Sequence, residues 1–257
     1  MMRAIVRLAR FIGFTLLEYG RSGRVLVELV AAVAFFYIFL MRRSERPIDA
    51  AQFFTLAGLF TLALTLYTMS SLLGLADRQQ GYLLLARRLD RASYLLGFYG
   101  AALVVIAGVY GLLSLGVALL NRPADLSLAG WALGTLPLLL NVGLMAALLV
   151  MLSSLVFSPG WRLAVLAMIA LAFSGNLING TLLQSLNQAG IGRLLTALQT
   201  VLSWPLVPPF SGFALSVSRD YGAQALAILL AQLSLVVVLL GLSIYAFARR
   251  ELIFSNG

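Results

Sequence analysis

The chain has no cysteine, no histidine and no lysine: all 18 of its basic residues are arginine, set against 9 acids. Each absence removes a class of chemistry. Without cysteine there is no disulfide and no thiol nucleophile. Without histidine or cysteine there is no Ser-His-Asp triad, and no zinc or haem site of the usual kinds. Without lysine there is no phosphate-loop lysine and no Schiff base. If ATP drives this protein, another polypeptide hydrolyses it. Charge of either sign is scarce: 11% of residues are charged and 61% are apolar, with a mean hydropathy of +1.00 over 257 residues. A soluble domain carries about 25% charged residues, so this composition cannot cover a water-facing surface. The expected fold class is all-α, a polytopic membrane protein forming a single transmembrane domain over 1–257, with no repeat or linker to divide it.

A helix needs about 20 apolar residues to cross the hydrocarbon core. Six segments meet that length, at about 25–41, 50–76, 93–120, 128–157, 161–180 and 223–248. With the N-terminus inside, Arg3, Arg7, Arg10, Arg21, Arg24, Arg78, Arg87, Arg88, Arg91, Arg162, Arg249 and Arg250 fall on the inner side, twelve in all. Six fall outside: Arg42, Arg43, Arg46, Arg122, Arg193 and Arg219. The excess places both termini in the cytoplasm and the chain in the cell (inner) membrane, with the Arg42 to Arg46 cluster dissenting.

Residues 1–20 do not read as a signal peptide, because arginines interrupt every apolar core. As a helix they set Arg3, Arg7 and Arg10 on one face and Ile5, Leu8, Ala9, Ile12 and Leu16 on another. That pattern predicts an interfacial helix on the inner leaflet, the alternative being a merely topogenic basic start. Between the fifth and sixth spans, 181–222 reads as an outer re-entrant segment. Leu194, Leu195, Leu198, Val201 and Leu202 repeat at helical spacing, and Pro205, Pro208 and Pro209 are expected to stop that helix after about twelve residues, too short to cross.

Polar groups inside the spans are few. Glu28 is the only acid there, and an intramembrane carboxylate invites a functional reading; the reading to beat is an ion pair with Arg24, one turn away near the inner interface, which would satisfy it. Gly58, Thr61, Thr65 and Thr68 form a small, hydroxyl-bearing stripe that permits close helix approach or lines a polar route. Pro137 frees the carbonyl of Leu133, with Asn141 one turn beyond, which suits a repaired kink or a gating hinge. Gly130 and Gly134 make a GxxxG pair, and Ser174, Asn176 and Asn179 gather at the outer end of the fifth span. No catalytic, cofactor-binding or metal-binding residues are expected.

The most distinctive segment is the inner loop 77–92, with DRQQGYLLLARRLDRAS running from Asp77 to Ser93. It is too apolar in its middle for a solvated loop and too charged for a span. A short helix there would expose Leu83, Leu84 and Leu85 beside Arg87, Arg88 and Arg91, a surface suited to a protein partner or the membrane. The stretch LLARRLDRASYLLGFYGA, Leu84 to Ala101, resembles the region of ABC-2 type exporter permeases where a coupling helix meets the ATPase and the chain re-enters the membrane. Leu84-Leu85, Arg91 and Leu95-Leu96-Gly97 carry that resemblance, and the tail AFARREL, Ala246 to Leu252, resembles the ending of the same family.

The resemblance implies a six-span exporter permease with an N-terminal interfacial helix, and a route lined mainly by apolar and hydroxyl groups suits an amphiphilic or lipid-like substrate. The resemblance also implies ATPase coupling through Gly81, Tyr82, Leu83, Leu84, Leu85, Ala86, Arg87, Arg88, Leu89 and Asp90. The expected partners are two ABC ATPase subunits that bind ATP and Mg, a second six-span permease subunit (identical or different), and membrane lipids; nucleic acid is not among them. Thr61, Thr65 and Asn176 are the candidates for a substrate route. The alternative is a non-transporting scaffold that anchors cytoplasmic partners through the same loop.

Overall fold

The computed structural model describes residues 2–41, 48–76, 90–173, 197–198 and 200–249. Among these the secondary structure is all helical. In chain order the elements are α1 (Met2–Arg21), α2 (Arg24–Phe35) extended by a π turn at Phe36–Leu40, α3 (Ala50–Ala76), α4 (Arg91–Leu120), α5 (Leu128–Met151), α6 (Pro159–Phe173), α7 (Thr200–Ser218) and α8 (Ala225–Arg249). Five of them, α3, α4, α5, α7 and α8, are long and apolar enough to cross a bilayer. The bent pair Ile5–Arg21 and Arg24–Leu40 supplies a sixth if taken as one span. The protein is an α-helical, multi-pass membrane protein.

α5 is the centre of the bundle, with α3, α7, α8 and α4 against it. Its burial explains why it is apolar all round rather than on one stripe. α4 packs on α3 and carries α1 across its first turns. Outward faces are apolar as well: Val30 is 68% exposed, Leu119 74% and Val237 63%. In water that surface would aggregate; in hydrocarbon it is matched to its solvent.

Helix ends follow local chemistry. Asp90 caps α4, its Oδ2 accepting the Ser93 amide at 3.2 Å. Hydrogen bonding from the Ser93 hydroxyl holds the Asp90 carboxyl below its usual range, the opposing effect of burial being smaller. Ser127 caps α5 through the Gly130 amide. Gly23, at φ 74°, makes the left-handed turn that bends α1 away from α2 by 74°, a conformation that glycine adopts without a Cβ clash.

Several expectations change. α5 ends at Met151, and Leu152 to Phe157 form a buried turn instead of continuing the fourth span to 157. The described part of the fifth span is α6, and residues 174–180 lie outside the described residues. The three prolines do not stop α7, which runs on to Ser218. Pro205 sits in a single 3-10 turn at Trp204–Leu206, and Pro208 and Pro209 open the next α-helical stretch, Val207–Ser218. In a first turn the missing N–H costs nothing and the fixed φ suits the helix. From Thr200 the described helix runs 19 residues, to Ser218; Leu194 and Leu195, at the start of the expected helix, lie outside the described residues.

α1 is amphipathic as expected, and its apolar stripe meets protein. Phe11, Thr15 and Tyr19 are buried, flanked by half-buried Leu8, Ile12 and Leu16. The contact exists because α4 offers glycines: a Cβ on Gly97 would lie 2.1 Å from the Phe11 ring, and one on Gly100 would lie 2.8 Å from Ile12.

Candidate functional site

Pro137 has no N–H, so the Leu133 carbonyl of α5 loses its helical partner. The repair comes from outside the helix. The Tyr221 hydroxyl, in the connection between α7 and α8, donates to the Leu133 carbonyl at 2.5 Å. Burial raises the Tyr221 phenol above its ordinary value. One turn on, the Asn141 amide donates to the Pro209 carbonyl of α7 at 2.9 Å rather than to a carbonyl of α5. Gln232 of α8, fully buried, donates to Asn141 Oδ1 at 2.8 Å and to the Pro137 carbonyl at 3.4 Å. α5, α7 and α8 thus meet at a polar cluster in an apolar bundle, where an unmade bond costs more than in water. Gly212 makes room for it: a Cβ there would lie 1.9 Å from Gln232 Nε2.

A second cluster sits at the elbow between α1 and α2. Glu28 is completely buried and accepts hydrogen bonds at Oε1 from the hydroxyls of Tyr19, at 2.6 Å, and Thr68. The ion pair with Arg24 does not form: the guanidinium of Arg24 instead donates to the Ser71 carbonyl at 2.5 Å. Both side chains reach from α2 towards α3, where one finds a hydroxyl and the other a carbonyl. This joins three helices, whereas the i, i+4 pair would have joined α2 to itself.

Thr61 and Thr65 are buried, and each hydroxyl donates one turn back, to the carbonyls of Ala57 and Thr61. Gly58, on the same stripe, takes the edge of Phe213 from α7. Of the GxxxG pair, Gly134 takes the ring of Phe54 from α3, which lies 2.3 Å from where its Cβ would be. Asn176, with Ser174 and Asn179, lies outside the described residues. So do Gly81, Tyr82, Leu83, Leu84, Leu85, Ala86, Arg87, Arg88 and Leu89; of that segment the structure describes Asp90.

The helix ends that flank residues 77–89 are joined to each other. Tyr94 of α4 donates to the carbonyl of Ala76, the last residue of α3, at 3.0 Å. Arg91 donates to the carbonyls of Phe247 and Ala248 at 2.9 and 2.8 Å, with its guanidinium 5.8 Å from the centre of the Phe247 ring. A cation on the terminal carbonyls of α8 is favourable both as hydrogen bonding and towards the helix dipole. Phe11, Tyr94, Phe98 and Phe247 pack as one aromatic group behind it. The end of α3 and the start of α4 are thus tied to each other, and through Arg91 to the end of α8.

No family model matches the chain, and no curated protein or solved structure matches it. Among the described residues no group of three or more acidic, histidine or cysteine side chains could hold a metal ion.

Tyr221, Gln232 and Tyr94 are the residues that sequence reading passes over. Tyr221 carries one usable signal: Pro137 guarantees an orphaned carbonyl, which requires a donor from somewhere.

Proposed function

We propose that this chain is the membrane subunit of an ABC-2 type ABC transporter, exporting an amphiphilic or lipid-like substrate with ATP hydrolysed by separate subunits. The observation that supports it best is the joined base of the inner loop: Tyr94 on Ala76, and Arg91 on Phe247 and Ala248. A displacement imposed on Gly81 to Asp90 by a closing ATPase pair would be delivered to α3, α4 and α8 together instead of being absorbed in a loose hinge. A second six-span permease subunit completes the transporter in this reading, α1 lies along the inner leaflet, and both termini face the cytoplasm. Thr61, Thr65 and Asn176 remain the proposed contributors to the route.

The test is affinity purification of the full chain in mild detergent. Recovery of a nucleotide-binding subunit with ATPase activity is expected. Replacing Leu84 and Leu85 with Asp is expected to leave membrane insertion intact and to abolish stimulation of that ATPase by the permease. If no nucleotide-binding subunit is recovered, the transporter reading falls and the scaffold reading takes its place.

A further inference from the structure

α1 has two long faces, and the bundle covers one of them. Phe11, Thr15 and Tyr19 are buried towards α4 and the elbow, with Ile12 seated over Gly100. On the free side Arg10, Phe14, Leu17 and Arg21 follow one another at i, i+4, i+7 and i+11, which makes them a single strip on a helix. All four are exposed, Phe14 by 53% and Leu17 by 55%. Arg7 lies on the same side and interacts with the Asp90 carboxylate. Among the described residues Arg10 and Arg21 have no ion-pair partner. Glu18, also exposed, borders the strip and is the only acid of the helix.

These exposed guanidiniums argue against α1 being the first half of a bent span, because a lipid-facing arginine in hydrocarbon is costly. The bend of 74° at Gly23 gives the other placement: with α2 set across the bilayer, α1 lies close to the membrane plane. At that depth the arginine stems run along the acyl boundary with their heads among the phosphates, and Phe14 and Leu17 reach between the chains. A guanidinium meets phosphate oxygens with a planar fork of N–H donors. In a zwitterionic headgroup the phosphate charge is balanced by the lipid's own ammonium; in an anionic headgroup it is not. Two unpaired cations flanking two apolar side chains therefore favour the anionic lipid.

We propose that the strip formed by Arg10, Phe14, Leu17 and Arg21 is a binding surface for anionic phospholipid, with phosphates on the two arginines and acyl chains on Phe14 and Leu17. The bound lipid covers the side of α1 that α4 leaves open, so the helix is held from both sides. The proposal rests on α1 lying along the leaflet and not on the transporter reading, so the copurification test above and the test below fail separately.

Native mass spectrometry of the full chain, offered equal phosphatidylglycerol and phosphatidylcholine in detergent, reads the preference. The unaltered chain is expected to retain phosphatidylglycerol over phosphatidylcholine. Arg10→Gln and Arg21→Gln are each expected to lower that preference about fivefold, the effect of one arginine at an anionic surface. Arg122→Gln, exposed just beyond the end of α4, is expected to leave it unchanged. A second arm reads placement alone. The chain has no cysteine, so Leu17→Cys carries a single nitroxide, whose contact with oxygen and with a nickel chelate in phosphatidylcholine nanodiscs gives its depth. The label is expected at the acyl boundary. A label in bulk water removes the placement of α1, and the proposal with it. With the label at the boundary, the proposal alone is overturned if phosphatidylglycerol is not preferred, if neither arginine substitution lowers the preference, or if Arg122→Gln lowers it as much.

Discussion

Glu28 shows what a single residue does when its environment and not its neighbour in sequence decides its partner. Its Oε1 receives two hydroxyls, from α1 and α3, while Oε2 is buried without a donor. A neutral amide oxygen can accept the same two bonds. Glu28→Gln keeps that acceptor but sets an amide NH2 where Oε2 has no partner, so it is expected to lower the thermal midpoint of the detergent-solubilised chain less than Glu28→Leu does. Glu28→Leu leaves the Tyr19 and Thr68 hydroxyls without their acceptor and should destabilise by on the order of 1–3 kcal/mol for each group orphaned. If Leu is tolerated as well as Gln, the hydroxyl pairs do not hold the elbow. The sequence shows Glu28 as the one intramembrane acid, but its partners are 9 and 40 residues away. Local spacing favoured Arg24 only because i, i+4 neighbours are visible in one dimension and tertiary neighbours are not.

At the scale of elements, the docking of α1 rests on absent side chains. Gly97 and Gly100 let Phe11 and Ile12 sit against the backbone of α4, where aromatic packing with Tyr94 and Phe98 follows. Gly97→Ala puts a methyl group inside the space of the Phe11 ring, and overpacking of this kind typically costs 1–3 kcal/mol. Amide exchange in Met2–Arg21 is expected to accelerate in that variant while α5 keeps its protection; unchanged exchange in α1 would show that the helix is held by other contacts. Long apolar runs bounded by arginine, asparagine or proline made α3, α4 and α8 legible to within a few residues. α7 was not legible, because proline ends a helix when it lies in the interior and begins one when it lies in the first turn. The sequence pattern does not distinguish those two registers. The stripe on α1 was visible, but whether lipid or protein covers it depends on the glycines of α4, which carry no periodic signal.

For the molecule as a whole, twelve arginines against six set the expected orientation. Glu18→Cys and Asp220→Cys, both at exposed positions, place single thiols at the two sides of the bundle. In intact cells an impermeant maleimide is expected to label Asp220→Cys and to reach Glu18→Cys only after lysis; the reverse pattern would invert the topology. The candidate sites divide in the same way as the fold. Pro137, Asn141 and Glu28 stand out from any apolar sequence, whereas Tyr221 and Gln232 acquire meaning only when α5, α7 and α8 are assembled. The bond from Tyr221 to Leu133 spans 88 residues of chain, and this has a consequence for biosynthesis. Leu133 is translated 88 residues before Tyr221, so its carbonyl lacks this donor until Tyr221 has been made. The fourth span is a structure whose last hydrogen bond is delivered by a later part of the message.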